Sequence, residues 1–258
     1  IQSLTFKKDN QRQTASLRNG AFVLRIPAEG HYAQSILATD ASGELAGYVS
    51  QYDYTTDDRA PLKIVMRPWK TSTLTVVDAE QQPVVDATVV LIVRHQELIK
   101  TATDQEGKAS LRFPADAKVD WIIAYKAGSG FDYYENYNAW PTQDRLQVPE
   151  RLELKLLGAV SAIVEVRDSD NNPVPNVMVA PWTIETEGKI TRANLSGMGI
   201  RHTDENGQAQ FDWLPSNLKN RIAFLVHDEK YYCATNPIYE LNTEEVVTCI
   251  ARVQRVAT

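Results

Sequence analysis

One nine-residue phrase occurs twice in this chain and constrains its fold more than any other feature. It reads TDENGQAQF at 203–211 and TDQEGKASL at 103–111, and a fainter copy, SLRNGAFVL, stands at 16–24. Each copy is a polar turn closed by glycine, followed by a strand-like run, with a proline seven or eight residues after the glycine. Glycine and the Asn/Asp side chains favour such turns, because they tolerate or stabilise backbone conformations that other residues avoid. Three ordered copies predict three related units in series.

The residues between these turns predict an all-β fold. Helical periodicity is nearly absent, whereas short alternating runs rich in Val, Ile, Thr and Tyr recur between turn residues. That pattern is typical of antiparallel sheets. The 258 residues suit two or three domains of about 80–100 residues each. We therefore predict β-sandwich units at 1–70, 71–157 and 158–258, called the first, second and third units. The first is expected to be truncated at its N-terminus, because its sequence ahead of the repeated turn is short.

A second repeated motif shows where the two full copies differ in length. The runs DAEQQP at 78–83 and DSDNNP at 168–173 place Asp and Pro five residues apart in both units. From this Pro to the repeated Gly there are 24 residues in the second unit and 34 in the third. The ten additional residues fall near 185–198, where several Gly and Asn residues predict an exposed hairpin or loop.

The ordered pattern is strand, Asp-x-x-x-x-Pro-Val, small residue, Val, Thr-Asp-x-x-Gly, strand and Pro. The matching residues are Asp78, Pro83, Val84, Ala87, Val89, Thr103, Asp104, Gly107 and Pro114, and then Asp168, Pro173, Val174, Val177, Val179, Thr203, Asp204, Gly207 and Pro215. These units resemble the carboxypeptidase regulatory-like family of transthyretin-type β-sandwiches; the first unit matches only from Gly20 onward. The resemblance implies a seven-stranded Greek-key β-sandwich, transthyretin-like or Ig-like, in each unit. In that family such domains are mostly non-catalytic parts of secreted or membrane-anchored proteins.

The polar residues of the repeated turns favour structural over catalytic roles. Asp104 and Asp204 can accept backbone N–H groups in Asx-type turns, and Gly107 and Gly207 can supply a positive φ. The four histidines have no second His or Cys at ligand spacing, and no nucleophile or phosphate-binding motif is present. We therefore expect no enzyme activity, no cofactor and no metal site. A hydrolase on a transthyretin-like scaffold is the weaker alternative.

An aromatic segment, FDYYENYNAW at 131–140, has the most unusual local composition. It contributes Phe131, Tyr133, Tyr134, Tyr137 and Trp140, and we assign it to a loop between two strands of the second unit. Aromatic residues with polar neighbours suit the recognition of proteins or glycans. One hypothesis is therefore a sensor ectodomain that binds a peptide or glycan through this segment. The other is that the aromatic residues cover an open sandwich end or pack against the next domain.

Charge, hydrophobicity and cysteine content limit the partners and cellular settings that this sequence suits. The formal net charge of −6 argues against a nucleic-acid partner, because such partners attract a basic face. No apolar run approaches the roughly 18 residues of a membrane span, so any membrane attachment is expected to come from a part of the protein outside this chain. Cys233 and Cys249 lie in strand-like runs of the third unit and are either disulfide-bonded or two buried thiols. We expect a non-enzymatic, extracytoplasmic structural or binding module (periplasmic, cell-surface or secreted) of a larger protein.

Overall fold

Strands make up the regular secondary structure of the described residues in a computed structural model. The structure describes residues 3–8, 11–16, 36–49, 64–94, 96–136, 147–195, 198–219, 222–227, 231–233, 238–239 and 247–255. Twenty strands and no helix occur in these ranges, which confirms the all-β prediction. Over the same ranges no helix qualifies as a candidate membrane span.

The first unit contributes one antiparallel sheet. Its strands are β1 (Ser3–Lys8), β2 (Gln11–Ser16), β3 (Ile36–Thr39) and β4 (Leu45–Val49). They lie in the order β2-β1-β3-β4. The alternating residues 62–66 predict a strand at the end of the first unit, but 64–66 are not a strand, since the next strand begins at Arg67. Residues 21–26, an apolar run between Gly20 and Pro27 that also predicts a strand, lie outside the described residues.

The second unit is a seven-stranded β-sandwich. Its strands are β5 (Arg67–Asp78), β6 (Thr88–Val93), β7 (Gln96–Ala102), β8 (Lys108–Pro114), β9 (Val119–Lys126), β10 (Gly130–Glu135) and β11 (Arg151–Leu156). One sheet joins β8, β5 and β11, with β5 parallel to β11, and the other runs β10-β9-β6-β7. The start of β5 pairs with β4, so this strand crosses the predicted division between residues 70 and 71.

The third unit repeats this arrangement with additions. Its strands are β12 (Ala159–Arg167), β13 (Met178–Ile184), β14 (Ala193–Asn194), β15 (Arg201–His202), β16 (Gln208–Pro215), β17 (Ile222–His227), β18 (Tyr231–Cys233), β19 (Ile238–Tyr239) and β20 (Val247–Arg255). One sheet runs β16-β12-β20-β18, and the other joins β14 and β15 to β13, then β17 and β19. First and last strands are again parallel neighbours, here β12 and β20.

The repeated polar turns are closed by their own aspartates. Oδ1 of Asp104 accepts the backbone amides two and four residues further along, at 3.1 and 2.7 Å. Asp204 accepts the equivalent pair of amides, both at 2.9 Å. Asp78 and Asp168 close the other two turns in the same way. The predicted Asx-type geometry is therefore confirmed, and these carboxylates stabilise turns.

The threonine that precedes Asp104 or Asp204 is buried and satisfies two backbone groups. Thr203 Oγ1 donates to Val174 O at 2.8 Å and accepts the Val177 amide at 2.9 Å. Thr103 makes the matching bonds in the second unit. The hydroxyl therefore links the repeated turn to the chain that follows the Asp-to-Pro turn.

Replacing Thr203 with valine keeps the side-chain shape but removes both hydrogen bonds. We expect the third unit to lose about 1–3 kcal/mol of unfolding free energy, because a buried donor and acceptor stay unpaired. Urea denaturation measures the loss. Thr183→Val is the matched control, since Thr183 is only half-buried. Equal losses for the two variants would contradict this role of the hydroxyl.

Candidate functional site: the interface between units

The segment predicted as an aromatic loop is in part a strand with a buried face. Phe131 and Tyr133 lie in β10 and pair with Tyr125 and Ile123 of β9. They are 1% and 0% exposed. The prediction that these two residues lie in a binding loop is therefore wrong. Residues two apart in a strand point to the same face, and here that face is covered by the third unit.

The central strands β6 and β9 of the sheet β10-β9-β6-β7 are largely buried on both faces. On its inner face, residues such as Val89 and Ile122 pack in the core of the second unit. On its outer face, Val90, Ile92 and Ile123 belong to one continuous apolar cluster with the core of the third unit. A strand buried on both faces has no polar side to alternate, which accounts for the apolar run of β6. The two units therefore share an extensive apolar contact.

Trp213 of β16 stands at the centre of this contact. Its ring centroid lies 4.7 Å from that of Tyr125 and 5.9 Å from that of Phe131, both in the second unit. On the other side it meets Phe211 at 6.3 Å. Sequence reasoning did not single out Trp213. The available signal was its position six residues after the repeated Gly, where the second unit has the smaller Phe113.

Backbone hydrogen bonds join the β9–β10 turn to Gly158, which lies between β11 and β12, and to β16. The Gly158 amide donates to Ser129 O at 3.0 Å, and the Gly128 amide donates to Asp212 O at 2.8 Å. A Cβ at Gly130 would collide with the carbonyl of Gly158. Glycine at position 130 therefore allows the β9–β10 turn and the backbone at Gly158 to approach closely.

The ten additional residues of the third unit reach across to β10. The Glu135 carboxylate accepts the amide of Ile190 at 2.9 Å, and the amide and hydroxyl of Thr191, both at 2.7 Å. One carboxylate thus holds three donors of the hairpin at 185–198. Bonds to an ionised acceptor are among the stronger hydrogen bonds in proteins. We call this set of contacts, together with those of Lys189, the clasp.

Lys189 completes the clasp beside Tyr133. Its ammonium lies 2.9 Å from Asp132 Oδ1, donates to the Tyr133 carbonyl and sits 5.1 Å from the Tyr133 ring centroid. The Tyr133 hydroxyl donates to Thr191 O. Burial, and then the charge of Glu135, raise the pKa of Tyr133 well above its usual value of 10. The phenol therefore stays protonated and keeps donating across the physiological pH range.

The contact between the first and second units follows the same scheme. Leu37 and Tyr48 are cross-strand partners in β3 and β4, and both pack against the core of the second unit. The Tyr48 hydroxyl donates to Val93 O at 3.4 Å, at the end of β6. Tyr133 likewise reaches the chain beyond β13, the third unit's counterpart of β6. The first and second units thus each offer a tyrosine-bearing sheet face to the core of the following unit.

The remaining predicted binding residues divide into one that is partly buried and two that are not described. Tyr134 packs against the core of its own unit, and burial raises its pKa. Tyr137 and Trp140 lie outside the described residues. The aromatic segment is therefore not observed as one binding surface.

The two cysteines lie on neighbouring strands in different positions along them. Cys233 pairs with Val253 in the β18–β20 ladder, and Cys249 pairs with Val164 in the β12–β20 ladder. Four residues of β20 separate Val253 from Cys249, which is about 13 Å along a strand. A disulfide needs Cα atoms within about 7 Å, so a Cys233–Cys249 bond would require another register. The bond stays a prediction that this register does not favour.

No protein-family model and no curated protein sequence matches the chain. Among solved structures, the shaft pilin of Lactobacillus rhamnosus GG is similar with 8% identity and a TM-score of 0.29, over 74% of this chain and 99% of that one. A streptococcal ancillary pilin has 12% identity and a TM-score of 0.29, over 100% and 93%. One B repeat of a collagen-binding surface protein of Staphylococcus aureus has 12% identity and a TM-score of 0.22, over 73% and 100%. These TM-scores are too low to carry an argument about function.

Proposed function

We propose that this chain is a non-enzymatic structural module of a larger secreted or cell-surface protein, in which the units act as a semi-rigid spacer. One observation carries the proposal. The two segments that distinguish the second and third units, β10 and the hairpin at 185–198, are in contact with each other. Residues that could have formed a ligand site are used to fix one unit against the next.

The packing supports a fixed orientation between the units. An apolar contact joins the outer face of one sheet to the neighbouring core, and the clasp adds directional bonds at its edge. Interfaces that are both apolar and hydrogen-bonded resist the domain motions expected of small polar contacts. A spacer needs this property, because its task is to hold other parts of a protein at a set distance.

The finer parts of the proposal come from the sequence. The resemblance of the repeats to carboxypeptidase regulatory-like domains favours an extracytoplasmic location, and their non-catalytic use in that family favours a structural role. The turn carboxylates Asp104 and Asp204 are occupied by backbone amides, which supports the same role. A peptide- or glycan-binding sensor would have to rely on residues other than Phe131 and Tyr133, since both are buried.

Coupled unfolding tests the spacer role. We expect the second and third units to unfold in one transition in calorimetry, because their cores are continuous. Glu135→Ala removes the acceptor of three hairpin donors, so it should lower the unfolding free energy by about 1–3 kcal/mol. It should also bring the two units closer to independent transitions. Glu135→Gln keeps one carbonyl acceptor and should cost less.

Glu187→Ala is the matched control for this measurement. Glu187 lies in the same hairpin and is exposed, so its loss should leave the transition unchanged within about 0.5 kcal/mol. Two well-separated transitions in the unmodified protein would show that the units do not form a semi-rigid pair. That result would overturn the proposal.

A further inference from the structure

A groove outside the clasp opens between the second and third units. Its volume is about 190 Å³, and it lies between β7 and the segment 198–201. The lining includes Lys100, Arg201, Glu97, Val90, Tyr125 and Met198. We call it the Lys100–Arg201 groove. Pockets for drug-sized ligands have roughly 300–1,000 Å³, so the groove suits a smaller ligand of fragment size.

Two cations line this groove from different units. Lys100 comes from β7 of the second unit, and Arg201 comes from β15 of the third; both are exposed. Within the described part of the chain, neither side chain has an ion-pair partner, and the Arg201 guanidinium bonds only its neighbour's carbonyl, Ile200 O, at 3.4 Å. Glu97 contributes the opposite charge at the same groove. Both cations therefore keep N–H donors available for an anionic ligand.

The register shows why these charges face the groove. In the β6–β7 ladder, Lys100 pairs with Val90 and Glu97 pairs with Ile92. Val90 and Ile92 point to the outer face, where they join the cluster with the third unit. Cross-strand partners share a face, so Lys100 and Glu97 lie on the same outer face, beside the third unit.

The apolar wall is held in place by the interface itself. The Tyr125 ring packs against Trp213 with centroids 4.7 Å apart and planes tilted by 39°. Gly199 has a φ of +60°, and a Cβ there would lie 2.6 Å from Trp213 Cζ2. Arg201 is anchored through the pairing of its backbone with Val179 of β13. A site whose walls are already packed loses little freedom when a ligand enters, which favours binding.

We propose that the Lys100–Arg201 groove binds a carboxylate carried on an apolar or aromatic body. The carboxylate meets Lys100 and Arg201, and the body lies against Val90, Tyr125 and Met198. The same chemistry is presented by the C-terminal residue of a peptide and by a free small acid. The proposed binding site is independent of the proposed spacer role, because the clasp and the groove use different residues.

A titration followed by amide chemical shifts of the isotope-labelled chain tests the site. The probes are N-acetyl-phenylalanine and its C-terminal amide, which differ only in the terminal group, an anionic carboxylate or a neutral amide. We expect the acid to shift the amides of residues 97–101 and 198–201, with a Kd in the order of millimolar, as suits a fragment-sized ligand. The amide should bind about tenfold more weakly, since it loses the charge-assisted bonds.

Variants separate this groove from general charge attraction. Lys100→Gln and Arg201→Gln should each weaken binding about tenfold, and raised salt should weaken it further. Lys108 is an exposed lysine at the start of β8, so Lys108→Gln should leave Kd unchanged. A longer probe, acetyl-Gly-Gly-Phe, distinguishes the sources: binding at least as tight as that of the acid indicates a peptide terminus, and weaker binding indicates a small acid.

Several outcomes would overturn the site. They are equal shifts with acid and amide, shifts scattered outside the groove, and binding that neither Lys100→Gln nor Arg201→Gln changes. Both variants alter exposed side chains, so they should fold as the unmodified protein does. Their denaturation midpoints check that a loss of binding is not a loss of structure.

Discussion

Gly207→Ala is expected to destabilise the third unit by about 3 kcal/mol or more, or to prevent its folding. Gly207 has a φ of +74°, and an added Cβ would lie 2.7 Å from Val166 O and 3.0 Å from Val174 N. The left-handed conformation costs an alanine about 1–2 kcal/mol. The collision adds more, because both contacts are backbone atoms of the neighbouring strand and turn and cannot rotate away.

Gly188→Ala separates these two contributions. Gly188 has a φ of +79° but no atom within 4 Å of an added Cβ, so it should show only the conformational cost of about 1–2 kcal/mol. Gly107→Ala and Gly128→Ala form the same pair in the second unit, with an added Cβ 2.7 Å from Val76 O at Gly107 and free space at Gly128. Urea denaturation followed by circular dichroism measures each loss. Similar losses within a pair would show that the close approach is not what the repeated glycine provides.

Trp213→Ala should cost about 3–5 kcal/mol, because it removes a large buried side chain from the cluster that both units share. Trp213 is 2% exposed and contacts aromatic rings of the second and third units. The loss should appear in the unfolding of both units, since the cavity lies between them. Circular dichroism at increasing urea gives the free energy, and calorimetry shows whether the single transition separates.

Two further variants show how large the loss of unfolding free energy for Trp213→Ala is by comparison. Trp182 is 41% exposed, so Trp182→Ala should cost no more than about 1 kcal/mol. Trp213 Nε1 has no hydrogen-bond partner in the described part of the chain. Trp213→Phe therefore removes volume without breaking a hydrogen bond, and we expect an intermediate loss of about 1–2 kcal/mol. Equal losses for Trp213→Ala and Trp182→Ala would argue against a shared core.

Local features of the fold could be predicted because their causes are local. Asp204 closes its turn with amides two and four residues away, and Gly207 has the predicted positive φ. Strands were predicted from alternation, which reports the pairing of one face with a core. The end of the first unit was predicted less well, since residues 64–66 are not a strand and β5 starts at Arg67.

The candidate site was predicted in its location but not in its nature. Its composition singles out the aromatic segment, and the ten additional residues of the third unit single out the hairpin at 185–198. Composition alone did not distinguish an exposed aromatic loop from a strand that packs on another unit. That distinction depends on which sheet covers Phe131 and Tyr133, and the covering residue Trp213 is about 80 positions away in the chain.

By itself, the sequence determined that this chain is a series of β-units joined by defined turns. Hydrogen bonds within four residues, a positive φ and strand alternation each depend on a short stretch of sequence, so each can be predicted from that stretch alone. Only the tertiary structure decided that the units share a core, that the Glu135 carboxylate holds the neighbouring hairpin, and that Lys100 and Arg201 meet at one groove. These depend on how one sheet lies on the next, which is the summed result of many distant contacts.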